Sequence, residues 1–210
     1  MKYSFPMVIC VAYERFILKC LSVYDYLKAK VLCWAWGVEC KGSVQLVGKY
    51  YLRTRRKGEI VLGHKVVLNS RFCTNLVGLI NPTVLDTRLG GRIEIGNNSG
   101  GSSVIISSKS KVMIGKRCKI GGNVRIFDHD FHSVDPKIRA TPDDLNNIKS
   151  AAIKIEDDCF VGTNAIILKG TELGARTIVA AGSVVFGLKA PQDSLVKGNP
   201  AIIVPRENAK

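Results

Sequence analysis

Residues 155–184 read IEDDCF, VGTNAI, ILKGTE, LGARTI and VAAGSV, which are five consecutive units of six residues. Every unit begins with an aliphatic residue, and its fifth residue is small or β-branched. The aliphatic first positions are Ile155, Val161, Ile167, Leu173 and Val179. A period of six fits neither an α-helix, which repeats every 3.6 residues, nor a simple alternating strand. It predicts a coil of triangular cross-section, in which each side is one short strand with its aliphatic residue inside.

The same unit occurs earlier in the chain. Residues 114–131 read IGKRCK, IGGNVR and IFDHDF, and weaker units begin at Leu62 and Ile95. Three units would close one turn, and successive turns would stack as parallel strands about 4.8 Å apart. We interpret glycine at the second position of several units as a residue that tolerates the backbone angles of the turns. The pattern predicts a mainly β fold, with a parallel β-helix over residues 51–210 and a helical segment over residues 1–50.

The repeat is interrupted at residues 131–151, where the sequence cannot be written in units of six. We predict a loop insertion at this place. Rigid coils often carry binding or catalytic residues on such a loop, because the loop can vary without disturbing the coils. Two of the three histidines, His129 and His132, lie where the coil meets this loop.

The repeat resembles that of the hexapeptide-repeat acyltransferases over roughly residues 60–206. The resemblance implies a left-handed parallel β-helix, which is an exception to the usual right-handed crossover. It also implies a homotrimer and acetyl-CoA as co-substrate. In the sugar O-acetyltransferase branch, similar to maltose and galactoside acetyltransferases, a catalytic histidine begins a motif resembling His-Pro-Leu-Asp-Pro-x-x-Arg. Residues 132–139, HSVDPKIR, match this motif except at Ser133, so the resemblance implies that His132 is the catalytic residue.

A base is needed in this reaction because a sugar hydroxyl must lose its proton as its oxygen attacks the thioester, and histidine titrates near neutral pH. One ring nitrogen of His132 must be held by an acceptor. Asp130, Asp135 and a backbone carbonyl are the candidates. The side chains that we expect to bind the sugar are Asp128, His129, Asp130, Asp135 and Arg139.

The resemblance further implies that acetyl-CoA lies in the groove between two subunits, along the coils that follow the loop. Small residues allow a thin ligand to approach the backbone closely. The carboxyl-terminal residues 198–201, GNPA, resemble a closing motif after which a basic residue meets the coenzyme phosphates, but Ile202 occupies that place. Basic residues elsewhere are therefore expected to bind the phosphates. The residues expected to bind the coenzyme are Phe160, which replaces a tryptophan, Gly162, Thr163, Ala181, Gly182, Lys189 and Arg206.

A metal site is not expected. The gamma-class carbonic anhydrases have the same fold and bind zinc through three histidines, but the third histidine of this chain, His64, lies in a remote and weakly repeating coil. A catalytic zinc needs three converging protein ligands. The seven cysteines contain no Cys-x-x-Cys pair and are odd in number, which favours free thiols in a reducing cytosol.

The chain is strongly basic, with 31 Lys and Arg against 17 Asp and Glu. An excess of positive charge favours anionic partners such as a phosphorylated coenzyme or an anionic membrane. Nucleic acid is not expected, because the sequence shows no interleaved aromatic and basic strand and no zinc finger.

The amino-terminal residues predict a helix that is apolar except for one narrow polar stripe, since its polar residues recur every three or four positions. The stripe residues are Arg15, Lys19, Ser22, Asp25 and Lys28. Two interpretations are open. The helix packs on the rest of the protein or on a neighbouring subunit, or it lies on a membrane near a lipid-linked substrate, helped by the basic run at residues 53–57.

Together these features predict a cytoplasmic, acetyl-CoA-dependent O-acetyltransferase that acts on a sugar hydroxyl in surface polysaccharide or glycan biosynthesis. The membrane interpretation adds peripheral contact with the inner face of the membrane. An N-acyltransferase of an amino sugar is one alternative, because an amine that loses its proton to solvent depends less on a base. A non-catalytic β-helix scaffold is the other.

Overall fold

A computed structural model describes residues 5–204, except for the side chain of Phe5. The helix α1 (Phe5–Ala35) is followed by a triangular prism of short strands, numbered here in chain order. Apart from the last strand, neighbours within each face of the prism are every third strand of the chain, and they pair in parallel. The prism is therefore a parallel β-helix, in which one coil contributes one strand to each face.

Within the described residues the strands form three sheets. The first sheet contains β1 (Glu39–Cys40), β4 (Ile60–Leu62), β7 (Arg92–Ile95), β10 (Lys111–Ile114), β13 (Ile153–Ile155), β16 (Glu172–Leu173) and β19 (Lys189–Ala190). The second sheet contains β2 (Val44–Val47), β5 (Val66–Asn69), β8 (Gly100–Ser102), β11 (Lys119–Ile120), β14 (Phe160–Val161), β17 (Ile178–Val179), β20 (Leu195–Gly198) and β21 (Ala201–Val204). The third sheet contains β3 (Tyr50–Arg53), β6 (Thr83–Asp86), β9 (Ile105–Ser107), β12 (Arg125–Phe127), β15 (Ile166–Leu168) and β18 (Val184–Val185). The antiparallel pair of β20 and β21 ends the second sheet.

The aliphatic first positions of the units form the core. In the third sheet Ile106, Ile126, Ile167 and Val185 lie in register on successive coils, and each is fully buried. Aliphatic side chains that stack in this way remove most of their surface from water, which is the main favourable contribution to folding. The inward orientation expected from the period of six is confirmed.

The glycines at the second position are needed for a different reason from the one that we expected. Gly162 does not have a positive φ, but a Cβ atom at this position would lie 2.5 Å from the backbone nitrogen of Ala181 on the next coil. The left-handed backbone occurs instead at the fourth position of the unit, where asparagine and aspartate are tolerated. Residues of this kind are Arg117, Asn123, Asp158, Asn164 and Arg176, with φ between 57° and 61°.

Helix α1 contacts the first coils mainly through its carboxyl-terminal half, where Asp25, Ala29 and Cys33 are buried. Asp25 pairs with Arg71 and accepts a hydrogen bond from the Gly48 amide at 3.3 Å. Lys28 donates to the Gly48 carbonyl at 3.3 Å. The predicted polar stripe therefore contacts the β-helix at Asp25 and Lys28, whereas its other residues, Arg15, Lys19 and Ser22, are exposed. The first coil begins at β1, within the segment of residues 1–50 that the sequence pattern assigned to the helix.

The interruption of the repeat is an excursion between β12 and β13, at the edge where the third sheet meets the first. It contains the short helix α2 (Pro136–Arg139) and a 3-10 helix (Leu145–Asn147). Backbone hydrogen bonds from Asp130 to Lys149 and from Ala151 to Asp128 close its base. A second excursion over residues 70–82, between β5 and β6, was not predicted from the sequence.

No helix in the described part of the chain has the length and hydropathy needed to cross a membrane.

Candidate active site

His132 lies at the start of the first excursion, and its side chain is 67% exposed. Its Nδ1 atom is 2.6 Å from Oδ2 of Asp144, and the other oxygen of Asp144 accepts a hydrogen bond from the Ser133 amide at 2.6 Å. The hydrogen bonds from His132 and Ser133 hold the pKa of Asp144 below its usual range, so the carboxyl group is ionised at neutral pH. With Nδ1 donating to this carboxylate, Nε2 is the ring nitrogen that can accept a proton.

Asp144 is the orienting acceptor that sequence reasoning missed. The candidates named from the sequence have other partners, since Asp130 forms an ion pair with Lys169 and Asp135 caps helix α2 by accepting from the Lys137 amide at 2.8 Å. Asp144 is twelve residues from His132 along the chain. Only the path of the excursion brings the two together, so no local spacing could have indicated the pair.

Arg139 supports the same segment from the other side. Its Nη1 atom donates to the carbonyl oxygen of Ser133 at 2.9 Å. Ser133 is buried, and its backbone is thus held between Arg139 and Asp144. This pair of contacts fixes the backbone of the residue that follows His132.

Asp128 is fully buried at the end of β12, where it holds the coil below the excursion. Its oxygens accept hydrogen bonds from the Ser108 hydroxyl at 2.6 Å and from the amides of Lys109 and Ser110 at 2.7 and 2.9 Å. Burial by itself would raise the pKa of Asp128, but hydrogen bonds from His129, Ser108 and these amides lower it below its ordinary value. The carboxylate has a structural role and is not open to a sugar.

His129 is also buried, with 3% of its surface exposed. Its Nδ1 atom is 3.0 Å from Asp128, and its ring packs on Phe131 with the ring centroids 4.8 Å apart. Its Nε2 atom has no hydrogen-bond partner among the described residues. We therefore leave Asp128 and His129 out of the proposed sugar site. Asp130, Asp135 and Arg139 are accessible or partly accessible at the surface of the excursion.

The residues expected to bind the coenzyme are spread over more than one part of the prism. Gly162 and Thr163 follow β14, and Ala181 and Gly182 follow β17, so the two pairs lie on successive coils at the edge between the second and third sheets. The Gly182 amide donates to the Thr163 carbonyl at 2.9 Å. At Gly162 a small residue is already required by the stacking of the coils, whereas a Cβ atom at Gly182 would meet no atom within 4 Å. Contact with a coenzyme stays a prediction.

Three further candidates for the coenzyme site lie elsewhere. Phe160 is half exposed on the second sheet. Lys189 lies on the first sheet, where its Nζ atom is 2.8 Å from Oε1 of Glu172. Arg206 lies outside the described residues. The part of the chain that the structure describes contains no group of three or more His, Cys, Asp or Glu side chains that could hold a metal ion.

A single chain does not bring the two groups of site residues together. The excursion with His132 is at the edge between the third and first sheets, whereas Gly162, Thr163, Ala181 and Gly182 are at the edge between the second and third sheets.

Comparison with known proteins identifies the repeat. Residues 152–186 match the family model described as the hexapeptide repeat of succinyl-transferase. These residues therefore carry the hexapeptide repeat that the sequence resemblance implied. The predicted fold class, a left-handed parallel β-helix with an amino-terminal helix and a loop insertion, is confirmed.

Among the relatives of the chain is WbbJ of Escherichia coli K12, whose name describes an O-acetyl transferase of lipopolysaccharide biosynthesis. The two are 34% identical over 109 residues, which are 50% of this chain and 55% of WbbJ. The match therefore spans about half of the length of WbbJ.

Solved structures share the fold at low sequence identity. A maltose O-acetyltransferase from Clostridium difficile 630 is 18% identical, with a TM-score of 0.52 over 93% of this chain and 87% of its own. The N-acyltransferase AntD from Bacillus cereus, in complex with dTDP and 3-hydroxybutyryl-CoA, is 16% identical, with a TM-score of 0.64 over 85% of this chain and 87% of its own. One neighbour is named as an O-acetyltransferase and the other as an N-acyltransferase, so this likeness concerns the fold alone.

Proposed function

We propose that the chain is an acetyl-CoA-dependent O-acetyltransferase that acts on a sugar hydroxyl by direct transfer. The observation that carries the proposal is the exposed His132, held through Nδ1 by the ionised Asp144. The relation to WbbJ, which is named as an O-acetyl transferase, supports oxygen as the acceptor atom and surface-glycan biosynthesis as the setting. The proposal places the enzyme in the cytoplasm, where acetyl-CoA is available.

His132 would act first as a general base and then as a general acid. Nε2 takes the hydroxyl proton while the sugar oxygen attacks the thioester carbonyl, and the Asp144 carboxylate stabilises the imidazolium that forms. The bond to sulfur then breaks, and the imidazolium returns the proton to the departing thiolate. Asp144 is thus a positioning residue, because it acts on the reaction only through His132.

A homotrimer would complete the site. In a three-fold arrangement the excursion of one subunit faces the edge between the second and third sheets of its neighbour, so that His132 meets a coenzyme lying along Gly162 and Ala181. Two apolar side chains of the excursion, Phe131 and Val134, are 50% and 59% exposed in the single chain. Exposed apolar side chains support a contact of this kind with a neighbouring subunit. Thr163 and Gly182 stay proposed coenzyme contacts on this basis, whereas Phe160, Lys189 and Arg206 stay proposed contacts from the sequence resemblance alone. Asp130, Asp135 and Arg139 stay proposed sugar contacts.

The proposal is tested by incubating the purified chain with acetyl-CoA and a panel of neutral sugars, amino sugars and nucleotide sugars, and by following thiol release. We expect thiol release with a sugar that carries free hydroxyls, and a product whose acetyl group is removed by mild alkali, as an ester is. An alkali-stable amide formed with an amino sugar would instead support N-acylation. No thiol release with any acceptor, together with no rise in Tm at saturating coenzyme A, would support a scaffold.

We expect Asp144→Asn to lower kcat about tenfold or more, with little change in the KM for acetyl-CoA, because the ring of His132 loses the carboxylate that orients it and stabilises its charged form. Steady-state kinetics of thiol release measure both constants. The matched control is Asp143→Asn, the exposed neighbour in the same loop, which should leave kcat unchanged. Asp144→Glu should restore part of kcat. Equal kcat values for the two asparagine variants would contradict the positioning role.

A further inference from the structure

Helix α1 presents to solvent an apolar face that the β-helix does not cover. Seven large apolar side chains on this face recur every three or four residues, except between Phe16 and Val23, where Cys20 takes the intervening position. This spacing places all seven on one side of the helix. We call them the outward stripe: Ile9, Tyr13, Phe16, Val23, Leu27, Val31 and Trp34, each more than half exposed. Within the described helix, no charged side chain interrupts this stripe.

The outward stripe is exposed because the helix docks through its opposite side. The buried contacts of α1 with the first coils are made by Asp25, Ala29 and Cys33, and by the hydrogen bond of Lys28 to Gly48. A surface helix of a globular protein normally turns its apolar face to the core and its charges to water. In α1 the docked side instead includes the buried Asp25 beside Ala29 and Cys33, and the large apolar side chains of the outward stripe stay exposed.

Basic side chains border the outward stripe. Arg15, Lys19 and Lys30 are exposed along one side of it. At the carboxyl-terminal end of the helix, a turn with the exposed cations Arg53, Arg55, Arg56 and Lys57 is tied to α1. In this turn Thr54 donates to the Trp36 carbonyl at 2.6 Å.

The same turn is held by a second backbone contact and by an aromatic contact. The Gly58 amide donates to the Gly37 carbonyl at 2.9 Å, and the Arg53 guanidinium lies 5.4 Å from the centre of the Trp36 ring. The cations therefore lie beside the carboxyl-terminal end of α1, in a chain with a formal net charge of +14. Cations at the edge of an apolar surface complement anionic lipid headgroups.

The composition of the stripe distinguishes a lipid surface from a second copy of the helix. Coiled-coil seams are built from Leu, Ile and Val at two positions of each heptad. The outward stripe instead includes Tyr13, Phe16 and Trp34, and the exposed Tyr24 lies beside it. Tyrosine and tryptophan are enriched where an apolar phase meets water, because each ring has an apolar body and a polar tip.

We propose that α1 binds an anionic phospholipid bilayer and lies in the plane of its surface. The outward stripe enters the boundary between headgroups and acyl chains, while Arg15, Lys19 and the cations of residues 53–57 meet lipid phosphates. The proposal goes beyond acetyl transfer and does not depend on it.

The test is flotation of the full chain with vesicles of phosphatidylcholine, with and without about a third of phosphatidylglycerol. We expect the chain to float with the anionic vesicles, and Phe16→Glu/Leu27→Glu to weaken this binding at least about tenfold because both charges enter the stripe. The matched control is Leu76→Glu/Ile80→Glu, which adds the same charge at two side chains that are 78% and 76% exposed in the second excursion. The control should bind like the unaltered chain.

A second variant keeps the stripe and removes charge. Arg15→Gln/Lys19→Gln should weaken binding to the anionic vesicles and leave the far-ultraviolet circular dichroism unchanged. Failure of the unaltered chain to bind anionic vesicles would overturn the proposal, as would an equal loss of binding in the Leu76/Ile80 control. A smaller oligomer for Phe16→Glu/Leu27→Glu in sedimentation, with no vesicle binding by the unaltered chain, would assign the stripe to a second copy instead.

Discussion

His132→Ala is expected to lower kcat for acetyl transfer to a sugar hydroxyl by about 10² to 10⁴, the usual contribution of a positioned general base. The KM for acetyl-CoA should change little, because the ring acts on the proton of the acceptor and not on the coenzyme. Kinetics of thiol release at saturating acceptor measure the effect. The expected loss is large because Asp144 holds Nδ1 and leaves Nε2 as the nitrogen that can take the proton.

His64→Ala is the matched control for this variant. His64 is an exposed histidine near the start of the β-helix, where its Nδ1 atom accepts a weak hydrogen bond from the Ser43 amide at 3.4 Å. Its loss should leave kcat unchanged. If the two alanine variants were equally active, His132 would not be the base. A strong effect on a hydroxyl acceptor combined with a weak effect on an amino sugar would show that the requirement for the base depends on the acceptor atom.

Asp128→Ala is expected to lower the free energy of unfolding by about 3 to 5 kcal/mol. The substitution leaves the Ser108 hydroxyl and the amides of Lys109 and Ser110 without their acceptor at a buried site. It also removes the partner of His129. Urea denaturation, followed by circular dichroism, measures the change. Asp143→Ala, at an exposed position of the excursion, should stay within about 0.5 kcal/mol of the unaltered chain.

The contribution of Asp128 should also depend on pH. Because the pKa of Asp128 is lower in the folded chain than its ordinary value, its stabilising effect is fully present above the unfolded value of about 3.9 and is lost as the pH falls toward the folded value. The unaltered chain should therefore lose stability below about pH 4 more steeply than Asp128→Ala. A cost below about 1 kcal/mol at neutral pH, or parallel pH profiles for the two proteins, would contradict the structural role of Asp128.

The period of six determined most of the fold in advance. Each unit has the same environment as the unit one turn before it, so Ile126 and Ile167 could both be placed inside the prism without knowledge of any distant contact. The interruption after Phe131 likewise marked the excursion, since a segment that breaks the period cannot continue the coil. The resemblance of residues 132–139 to a known motif then singled out His132.

Contacts between residues far apart in the sequence could not be predicted from the period of six or from a local motif. Asp144 reaches His132 only because the excursion folds back on itself, and Asp128 becomes buried because the loop base and the preceding coil close around it. The glycine at position 162 is required by the backbone of the next coil at Ala181, which no local backbone preference indicates.

Helix α1 shows most clearly which features followed from the sequence and which depended on the tertiary structure. Its sequence determined that one side would be polar and the rest apolar, because the spacing of residues along a helix fixes which side chains share a face. The tertiary structure alone decided which side would meet the coils, because Asp25 has its partner in Arg71, forty-six residues away, and Ala29 and Cys33 are buried on the same side. Patterns within one element follow from its own geometry, whereas the partner of each face depends on surfaces that exist only after the chain has folded.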